Sequence, residues 1–264
     1  MKISTIMACY NSAATIGTAI ASFLAQDHAD KELVVIDGAS RDRTCEIVRS
    51  FDSPQITLVS EPDAGIYDAM NKGLARFTGD AFGFLNSDDR YHDATALSRI
   101  ASGLAGADLV TGTLEFVRAH DGSAPVRVWN AEIYRPGAFR RGWSVPHPTT
   151  YARRNVFEHL GKFDSSLRSA GDYDWLLRAF EIEGFSHAII PETIVDMKIG
   201  GESTAGLRAL VQNSREYLRV RRNRLGTGPV DMAILRNALR KLGQLRWLRS
   251  FPESTTSRVR KDHI

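Results

Sequence analysis

The stretch Ala81-Phe-Gly-Phe-Leu-Asn-Ser-Asp-Asp-Arg90 is an apolar run that ends abruptly in four polar residues before Arg90. The turn residues Thr78-Gly-Asp80 precede it, so the pattern predicts a short buried strand. Ligands of a parallel sheet bind beyond the carboxyl ends of its strands. Asp88 and Asp89 would lie there, and two carboxylates could hold a divalent cation together with phosphates. The other interpretation is that Asn, Ser and Asp merely turn the chain after a strand.

Three predicted strands precede this stretch, and a predicted helix follows each of them. The strands are 3–9, 32–37 and 56–60, and the helices are 12–24, 44–49 and 66–77. The second strand is apolar on both faces, as parallel strands covered by helices are. This alternation with short connections predicts an α/β fold with a doubly wound, mostly parallel sheet and right-handed crossovers. Acidic loops after the second, third and fourth strands would then share one edge of the sheet.

Two common nucleotide-binding motifs are absent from the sequence. The turn after the first strand is Cys9-Tyr-Asn-Ser12, which lacks the G-x-G-x-x-G of a dinucleotide-binding turn. The P-loop pattern G-x-x-x-x-G-K-S/T is absent as well. The sequence therefore argues against a nicotinamide-dependent dehydrogenase and against a P-loop enzyme.

Beyond residue 104 the regular alternation of strands and helices ends. We predict helices at 94–104, 154–160 and 173–182 and strands at 108–113 and 186–190. A hairpin is predicted to pair 115–117 with 126–129. The segments 134–144 and 196–204 are predicted to be a loop and a flexible segment. The hairpin prediction rests on Asp121-Gly122, and the flexible segment on Gly200-Gly201.

The composition is that of an ordinary globular protein. Its 264 residues suffice for one large domain with an appendage. The longest apolar runs fall far short of the ~18 residues that span a bilayer. The first residues lack the apolar stretch and cleavage site of a signal peptide. Cys9 and Cys45 are spaced neither as a metal site nor as a disulfide framework, so we expect a reducing, cytoplasmic environment.

Charge is unevenly distributed along the chain. From residue 205 onward, 14 Lys and Arg stand against 4 Asp and Glu, although the whole chain has a net charge of only +3. Two amphipathic helices are predicted there, at 206–224 and 231–248, with a disordered tail beyond Pro252. Because Lys and Arg bind anionic lipid surfaces, this extension could attach to the inner face of the cell membrane. It could equally pack on the rest of the protein.

Six motifs occur in order along the chain. They are the opening strand 4–11 with its Tyr-Asn end, Val35-Ile-Asp-Gly-Ala-Ser-Arg-Asp-Arg-Thr44, Ser60-Glu-Pro-Asp-Ala-Gly-Ile-Tyr-Asp-Ala-Met-Asn-Lys-Gly73, Phe84-Leu-Asn-Ser-Asp-Asp89, His147-Pro-Thr-Thr-Tyr-Ala-Arg-Arg154 and Gly171-Asp-Tyr-Asp-Trp-Leu-Leu-Arg178. Together they resemble the motifs of the inverting nucleotide-sugar glycosyltransferases of family 2. The third motif has a form common in members that build bacterial surface polysaccharides and glycolipids. Asn86 departs from the pattern, because the family usually has the first Asp of D-x-D there.

The resemblance implies a GT-A (Rossmann-like) α/β fold, with a mostly parallel central sheet flanked by helices. Residues 1–204 would form the catalytic domain, with a nucleotide-sugar half at 1–113 and an acceptor half at 114–204. Residues 205–264 would be a basic, amphipathic helical extension. The implied activity moves a sugar from a nucleotide-diphosphate donor, with a UDP-sugar expected, to a hydroxyl of a glycan or lipid-linked acceptor with inversion. Synthesis of exopolysaccharide or cell-envelope glycan is the implied process, and no nucleic-acid partner is expected.

The resemblance also assigns donor-side residues. Asp37 would bind the nucleotide base, because a carboxylate accepts a hydrogen bond from the N3–H of uracil. Asp63, Lys72, Asn86 and Ser87 would lie near the donor. Asp88 would be the primary ligand of Mg²⁺ or Mn²⁺, with Asp89 in support, and the cation would neutralise the leaving diphosphate.

On the acceptor side, the resemblance makes Asp172 the general base that takes the proton of the acceptor hydroxyl. The competing interpretation is an N-cap for the helix that follows, because Asp is a common cap. His147, Arg154, Gly201 and Ser203 would contact the acceptor or the diphosphate, although His and Arg at such positions are often structural.

Other functions explain the sequence less well. A sugar-phosphate nucleotidylyltransferase would need a Gly-rich, Arg-bearing phosphate loop, which the turn at Cys9 lacks. A glycoside hydrolase would need two carboxylates flanking the scissile bond. A non-catalytic nucleotide-sugar-binding module has Asn86 as its only support.

Overall fold

A computed structural model describes residues 1–200, 206–228 and 231. In chain order its elements are β1 (Ile3–Cys9), α1 (Ile16–Leu24), β2 (Lys31–Asp37), α2 (Thr44–Ser50), β3 (Ile56–Ser60), α3 (Ile66–Leu74), β4 (Ala81–Phe84), β5 (Arg90–Tyr91), α4 (Ala96–Leu104), β6 (Leu109–Val117), β7 (Arg127–Trp129), β8 (Thr150–Arg153), α5 (Arg154–Leu160), α6 (Gly171–Leu177), β9 (His187–Lys198) and α7 (Gly206–Leu225). Short 3₁₀ turns lie at Phe139–Arg141 and His147–Thr149, and a π-helical turn at Arg178–Ile182 continues α6.

The first half of the chain forms a parallel sheet in the order β3-β2-β1-β4. Cys9 lies opposite Asp37 where β1 and β2 end side by side. The apolar residues Ile16, Ile20 and Phe23 are spaced three or four apart, so they form the stripe by which α1 packs on one face of the sheet. The predicted α/β architecture is confirmed here, and β1 and β3 have the predicted bounds.

The second half extends the sheet in the order β4-β8-β6-β9-β5, with β7 paired to β6. β8 is antiparallel to both β4 and β6, whereas β6 and β9 are parallel. The predicted hairpin is confirmed, with Glu115 opposite Val128. β5 and β8 do not figure in the sequence prediction, because runs of two and four residues are too short to show a period. The sheet is therefore parallel in the first half and mixed in the second.

β9 extends eight residues beyond the predicted strand end at residue 190 and runs to Lys198. Pro191 and Glu192 bulge out of the pairing, because Ile190 lies opposite Gly112 and Thr193 opposite Thr113. Proline is tolerated at bulges, and this one lets the strand continue past a residue that usually ends strands. The predicted flexible segment at 196–204 is wrong for its first three residues, which belong to β9.

Two apolar cores cover the two faces of the sheet. One contains α1 and α4, and the other contains α3, α5 and α6. Val220 and Leu225 of α7 are buried in the second core, so the end of this helix packs on the same side of the sheet as α3, α5 and α6. Apart from residue 231, the predicted helix at 231–248 and the tail lie outside the described residues. Within the described part of the chain, no helix has the length and apolarity needed to cross a membrane.

Candidate active site

Asp37 ends β2 and is completely buried. Its carboxylate accepts hydrogen bonds from the backbone N–H and the hydroxyl of Ser40 and from the hydroxyl of Ser60 at 2.7 Å, and the thiol of Cys45 lies 3.2 Å from it. Burial by itself would raise the pKa of Asp37, but these donors outweigh it and hold the pKa below its usual value. Both oxygens therefore have partners within the protein.

The loops after β1 and β2 are tied to each other by side chains. The side-chain oxygen of Asn11 accepts a hydrogen bond from the backbone N–H of Arg41 at 2.9 Å, and the backbone N–H of Asn11 donates to the hydroxyl of Ser40. Asp42 receives the N–H of Ala13 at 3.0 Å. Sequence reasoning did not give Ser40 and Asp42 a role of their own, although they belong to the motif that begins at Val35. Their spacing is the signal, because S-x-D-x-T places small oxygen-bearing side chains along one turn.

Gly38 and Asp63 are adjacent across two loops. A Cβ added at Gly38 would lie 2.4 Å from Oδ2 of Asp63 and 3.5 Å from the ring of Tyr10. Asp63 is half-buried and also accepts the N–H of Gly65 at 2.9 Å. Tyr10 is 58% exposed, which is unusual for an aromatic residue at a strand end. An exposed ring and a carboxylate thus border the same small residue at the carboxyl edge of the sheet.

Lys72 lies on α3 and faces the loop that carries Asp63. Its amine donates to the carbonyl of Pro62 at 2.6 Å and lies 3.3 Å from Glu61 and 3.4 Å from Asp68. These contacts fix the loop, so the structure gives Lys72 a role in holding the segment beside the candidate base pocket.

The polar residues after β4 have different environments. Asp88 is half-buried, and its carboxylate makes no hydrogen bond or ion pair with other described residues. Asp89 is 1% exposed and accepts hydrogen bonds from the amide of Asn86 at 2.8 Å and from the N–H of Lys198 at 2.9 Å. Burial and then the charge of Asp88 raise the pKa of Asp89 to about 7. Ser87 donates to Ser12 at 2.9 Å.

Asp88 is thus the accessible acid, and Asp89 is the buried one that orders the turn. His120 of the β6–β7 hairpin adds a contact that sequence reasoning missed, since its Nε2 lies 2.9 Å from the carbonyl oxygen of Asp88.

His92, Glu115 and Asp196 form a group of possible metal ligands, with one atom from each within 4.8 Å of the others. The guanidinium of Arg90 lies 2.9 Å from Oδ2 of Asp196, and His92 lies 2.6 Å from Oδ1. A cation already neutralises the buried carboxylate, so we interpret the group as an ion-pair network. Asp88 and Asp89 do not belong to it.

Asp172 lies in the first turn of α6 and is linked to α3. Its Oδ1 accepts the hydroxyl of Tyr67 at 3.0 Å and the N–H of Tyr173 at 2.8 Å, and its Oδ2 makes no hydrogen bond to a described residue. The N-cap position of α6 is Ala170, so Asp172 is not the cap. A Cβ at Gly171 would lie 2.8 Å from the ring of Tyr67, which explains why glycine precedes the acid.

His147 connects the region of Asp172 with the end of β4. Its ring lies 5.1 Å from that of Phe84, two residues before Asn86. Burial lowers the pKa of His147, and the nearby charge of Asp172 opposes this effect. The imidazole therefore packs on the end of β4 and is close enough to the candidate base to feel its charge.

Arg154 is not brought to this site. It donates to the carbonyl of Gly79 at 2.6 Å and lies 4.2 Å from the ring centre of Phe77, at the amino end of β4. The predicted contact with acceptor or diphosphate is corrected to a structural contact at the opposite edge of the sheet. Gly201 and Ser203 lie outside the described residues.

A parallel sheet with acids along its carboxyl edge, joined to a mixed half that carries a further acid, fits the class of α/β glycosyltransferases with a GT-A fold. The family model described as "Glycosyl transferase family 2" matches residues 4–161, more than half of the chain. The chain therefore belongs to glycosyl transferase family 2.

Similar proteins agree with this assignment. The "PGL/p-HBAD biosynthesis glycosyltransferase" of Mycobacterium bovis (strain BCG / Pasteur 1173P2) is 27% identical over 205 residues, which cover 71% of this chain and 74% of that protein. S. aureus TarS 1-349 in complex with UDP-GlcNAc has a TM-score of 0.67 and 21% identity, with 85% of this chain and 67% of that chain covered. Mannosyltransferase PcManGT from Pyrobaculum calidifontis, in complex with GDP-Man and Mn²⁺, has a TM-score of 0.64 and 20% identity, with 90% and 69% covered. At these identities the two structures establish a shared fold.

Proposed function

We propose that this glycosyltransferase moves a sugar from a nucleoside-diphosphate donor to a hydroxyl of a glycan or lipid-linked acceptor, with inversion at the anomeric carbon. The observation that carries the proposal is the environment of Asp172. Tyr67 and the start of α6 hold one carboxylate oxygen, and the other makes no bond to the described residues. A fixed carboxylate with one available oxygen suits a group that must accept a proton.

The contacts favour Asp63 over Asp37 as the carboxylate that accepts a hydrogen bond from the nucleotide base. Asp37 is buried and saturated with donors, so its role is to hold the loops. Asp63 keeps Oδ2 beside Gly38 and the exposed ring of Tyr10. A base stacked on Tyr10 would present its ring N–H to Asp63, and uracil carries such a proton at N3. A UDP-sugar is the donor that we expect.

The residues after β4 fit a divalent cation, because Asp88 offers a half-exposed carboxylate without a partner among the described residues. Mg²⁺ and Mn²⁺ bind in this way, through one or two carboxylates and the oxygens of a substrate diphosphate. When bound, the cation would supply positive charge to the leaving diphosphate. PcManGT, a structural neighbour, is described in complex with Mn²⁺. Asp89 would hold the turn that carries Asp88 through its hydrogen bonds with Asn86 and Lys198.

Inversion follows from a single displacement. Asp172 accepts the proton of the acceptor hydroxyl while that oxygen attacks the anomeric carbon, and the nucleoside diphosphate leaves from the opposite face. His147 packs on Phe84 at the end of β4, and burial lowers its pKa, which favours the neutral imidazole near the proposed base. A positioned base contributes typically about 10²–10⁴-fold to such a rate.

The test uses purified full-length protein. Binding of UDP-Glc, UDP-GlcNAc, UDP-Gal and GDP-Man is measured by calorimetry with and without Mn²⁺, and release of the nucleoside diphosphate is measured for each. We expect Asp172→Asn to bind the preferred donor as the wild type does and to lose about 10²–10⁴-fold in turnover. Asp88→Asn should lose the dependence of donor binding on Mn²⁺.

Asp30→Asn is the matched control, because this exposed acid precedes β2 at the opposite edge of the sheet. It should behave as the wild type in both assays. Undiminished turnover by Asp172→Asn would reject the assignment of the base. Donor binding without any turnover, even by the wild type, would favour a non-catalytic binding module.

A further inference from the structure

The helix α7 contacts the segment that leads into Asp172. Glu216 accepts the backbone N–H of Arg168 at 3.1 Å, and the N–H and hydroxyl of Ser169 at 2.8 and 2.9 Å. Hydrogen bonds to a charged acceptor are about twice as strong as neutral ones. One carboxylate of the C-terminal extension therefore fixes the backbone three and four residues before the proposed base.

A second set of contacts binds α7 to the residue after Asp172. The ring of Tyr217 lies 4.7 Å from that of Tyr173. The buried guanidinium of Arg221 donates to the hydroxyl of Tyr173 at 2.9 Å. Further along, Arg224 lies 2.8 Å from Asp174. The helix thus holds the chain on both sides of Asp172, while Tyr67 holds its carboxylate directly.

We propose that Glu216 is a positioning residue for the transfer reaction, acting through Asp172 by fixing the loop that carries it. The inference rests on the proposed role of Asp172. Residues 161–170 form an irregular connection between α5 and α6, and Glu216 supplies three of the hydrogen bonds that order it. Misplacement of a reacting group by about 1 Å can cost about 10²-fold in rate. The helix α7 would therefore act on the reaction from outside the reaction centre, through the backbone that carries Asp172.

The test compares Glu216→Ala, Glu216→Gln and Ser169→Ala in the full chain. The assay measures release of the nucleoside diphosphate (UDP or GDP) from UDP-GlcNAc or GDP-Man, whichever the wild type turns over faster, with water as acceptor. We expect Glu216→Ala to lower kcat by about 10- to 100-fold with the donor KM changed less than about twofold. Glu216→Gln should be intermediate, because an amide oxygen still accepts N–H. Ser169→Ala removes only the hydrogen bond from the Ser169 hydroxyl to Glu216. It replaces Glu216→Ala in the test if that variant fails to fold.

Glu158→Ala is the matched control, because this exposed acid lies on α5 away from the site, and it should leave kcat unchanged. A purely structural role for Glu216 would lower the melting temperature without separating kcat from KM, and that result would overturn the inference. An unchanged kcat in Glu216→Gln and Ser169→Ala would overturn it as well.

A double-mutant comparison separates this inference from the proposed function. If Glu216 acts through Asp172, adding Glu216→Ala to Asp172→Asn should cost almost nothing further, because residues that act as a unit are non-additive. Additive losses would reject the inference and leave Asp172 as the base. Full turnover by Asp172→Asn alone would reject the proposed function itself.

Discussion

At the scale of single residues, Gly38 is the position where one added methyl group would disturb the proposed base pocket. A methyl group there would meet Oδ2 of Asp63 at 2.4 Å, below any real Cβ contact, so the carboxylate would have to turn away. We expect Gly38→Ala to weaken UDP binding by about tenfold, the worth of one hydrogen bond at ~1.4 kcal/mol. Calorimetric titration with UDP measures this effect.

Gly106→Ala is the matched control, because a Cβ at this turn glycine meets nothing within 4 Å. It should bind UDP as the wild type does. Equal affinity of both variants would mean that Asp63 does not read the base, and Asp37 would again be the candidate.

The motifs of the sequence predict much of the donor side at this scale. Asp37, Asp63 and Asp88 all lie at the carboxyl edge, as expected from acids that follow parallel strands. What could not be predicted is which acids are already engaged, because the partners of Asp37 come from the following loop (Ser40) and from the end of the neighbouring strand β3 (Ser60). Such partners are visible only once the loops are in place.

At the scale of elements, the direction of β8 explains why Arg154 lies away from the site where its motif predicts it. β8 runs antiparallel to β4, so it returns the chain from His147 at the carboxyl edge to Arg154 at the amino edge. A strand of four residues has no period to reveal its direction. The sequence therefore predicts that His147 and Arg154 contact the same substrate groups, whereas in the structure the length of one strand separates them.

The helix α7 is anchored by a buried charge, which makes its docking measurable. Arg221 is 2% exposed, lies 2.6 Å from Asp231 and donates to the carbonyls of Phe139 and Arg140. Removing one partner of a buried pair typically costs about 3–5 kcal/mol. We expect Arg221→Ala to lose this much free energy of unfolding at pH 7, measured by urea denaturation with tryptophan fluorescence.

Arg219→Ala is its control, since this arginine of the same helix is exposed and such changes usually cost less than about 0.5 kcal/mol. Equal, small losses in both variants would mean that α7 does not belong to the cooperatively folded body. Arg221→Lys should fall between them, because lysine keeps the charge without the planar fork of donors.

At the scale of the whole molecule, the basic extension has two faces with different roles. The inward face of α7, with Tyr217, Arg221 and Arg224, contacts Tyr173 and Asp174 of α6. The positive charge predicted from the sequence to meet a membrane is therefore partly used inside the protein. Within the described part of the extension, the exposed side of α7 carries Arg215 and Arg219 one helical turn apart, where an outside partner can reach them.

A lipid-linked acceptor would bring this exposed side to an anionic bilayer. Each arginine near such a surface adds about 1 kcal/mol of binding. We therefore expect Arg215→Gln/Arg219→Gln to reduce partitioning onto phosphatidylglycerol vesicles by about 30-fold in a flotation assay, which is the ~2 kcal/mol of two charges. The binding should weaken with salt and vanish on phosphatidylcholine, because exposed charges are screened and the second lipid has no net charge.

The control for this test is Arg49→Gln/Arg76→Gln, which removes two exposed charges from α2 and from the turn after α3 and leaves the net charge equal to that of the test variant. If net charge alone draws the protein to the vesicles, the two double variants will lose binding equally, and the face of α7 has no special role. If neither the wild type nor the variants float, the acceptor is met away from an anionic surface. Loss confined to the α7 variant would place the membrane beside the same helix that holds Asp172, so one element would serve both the base and the acceptor.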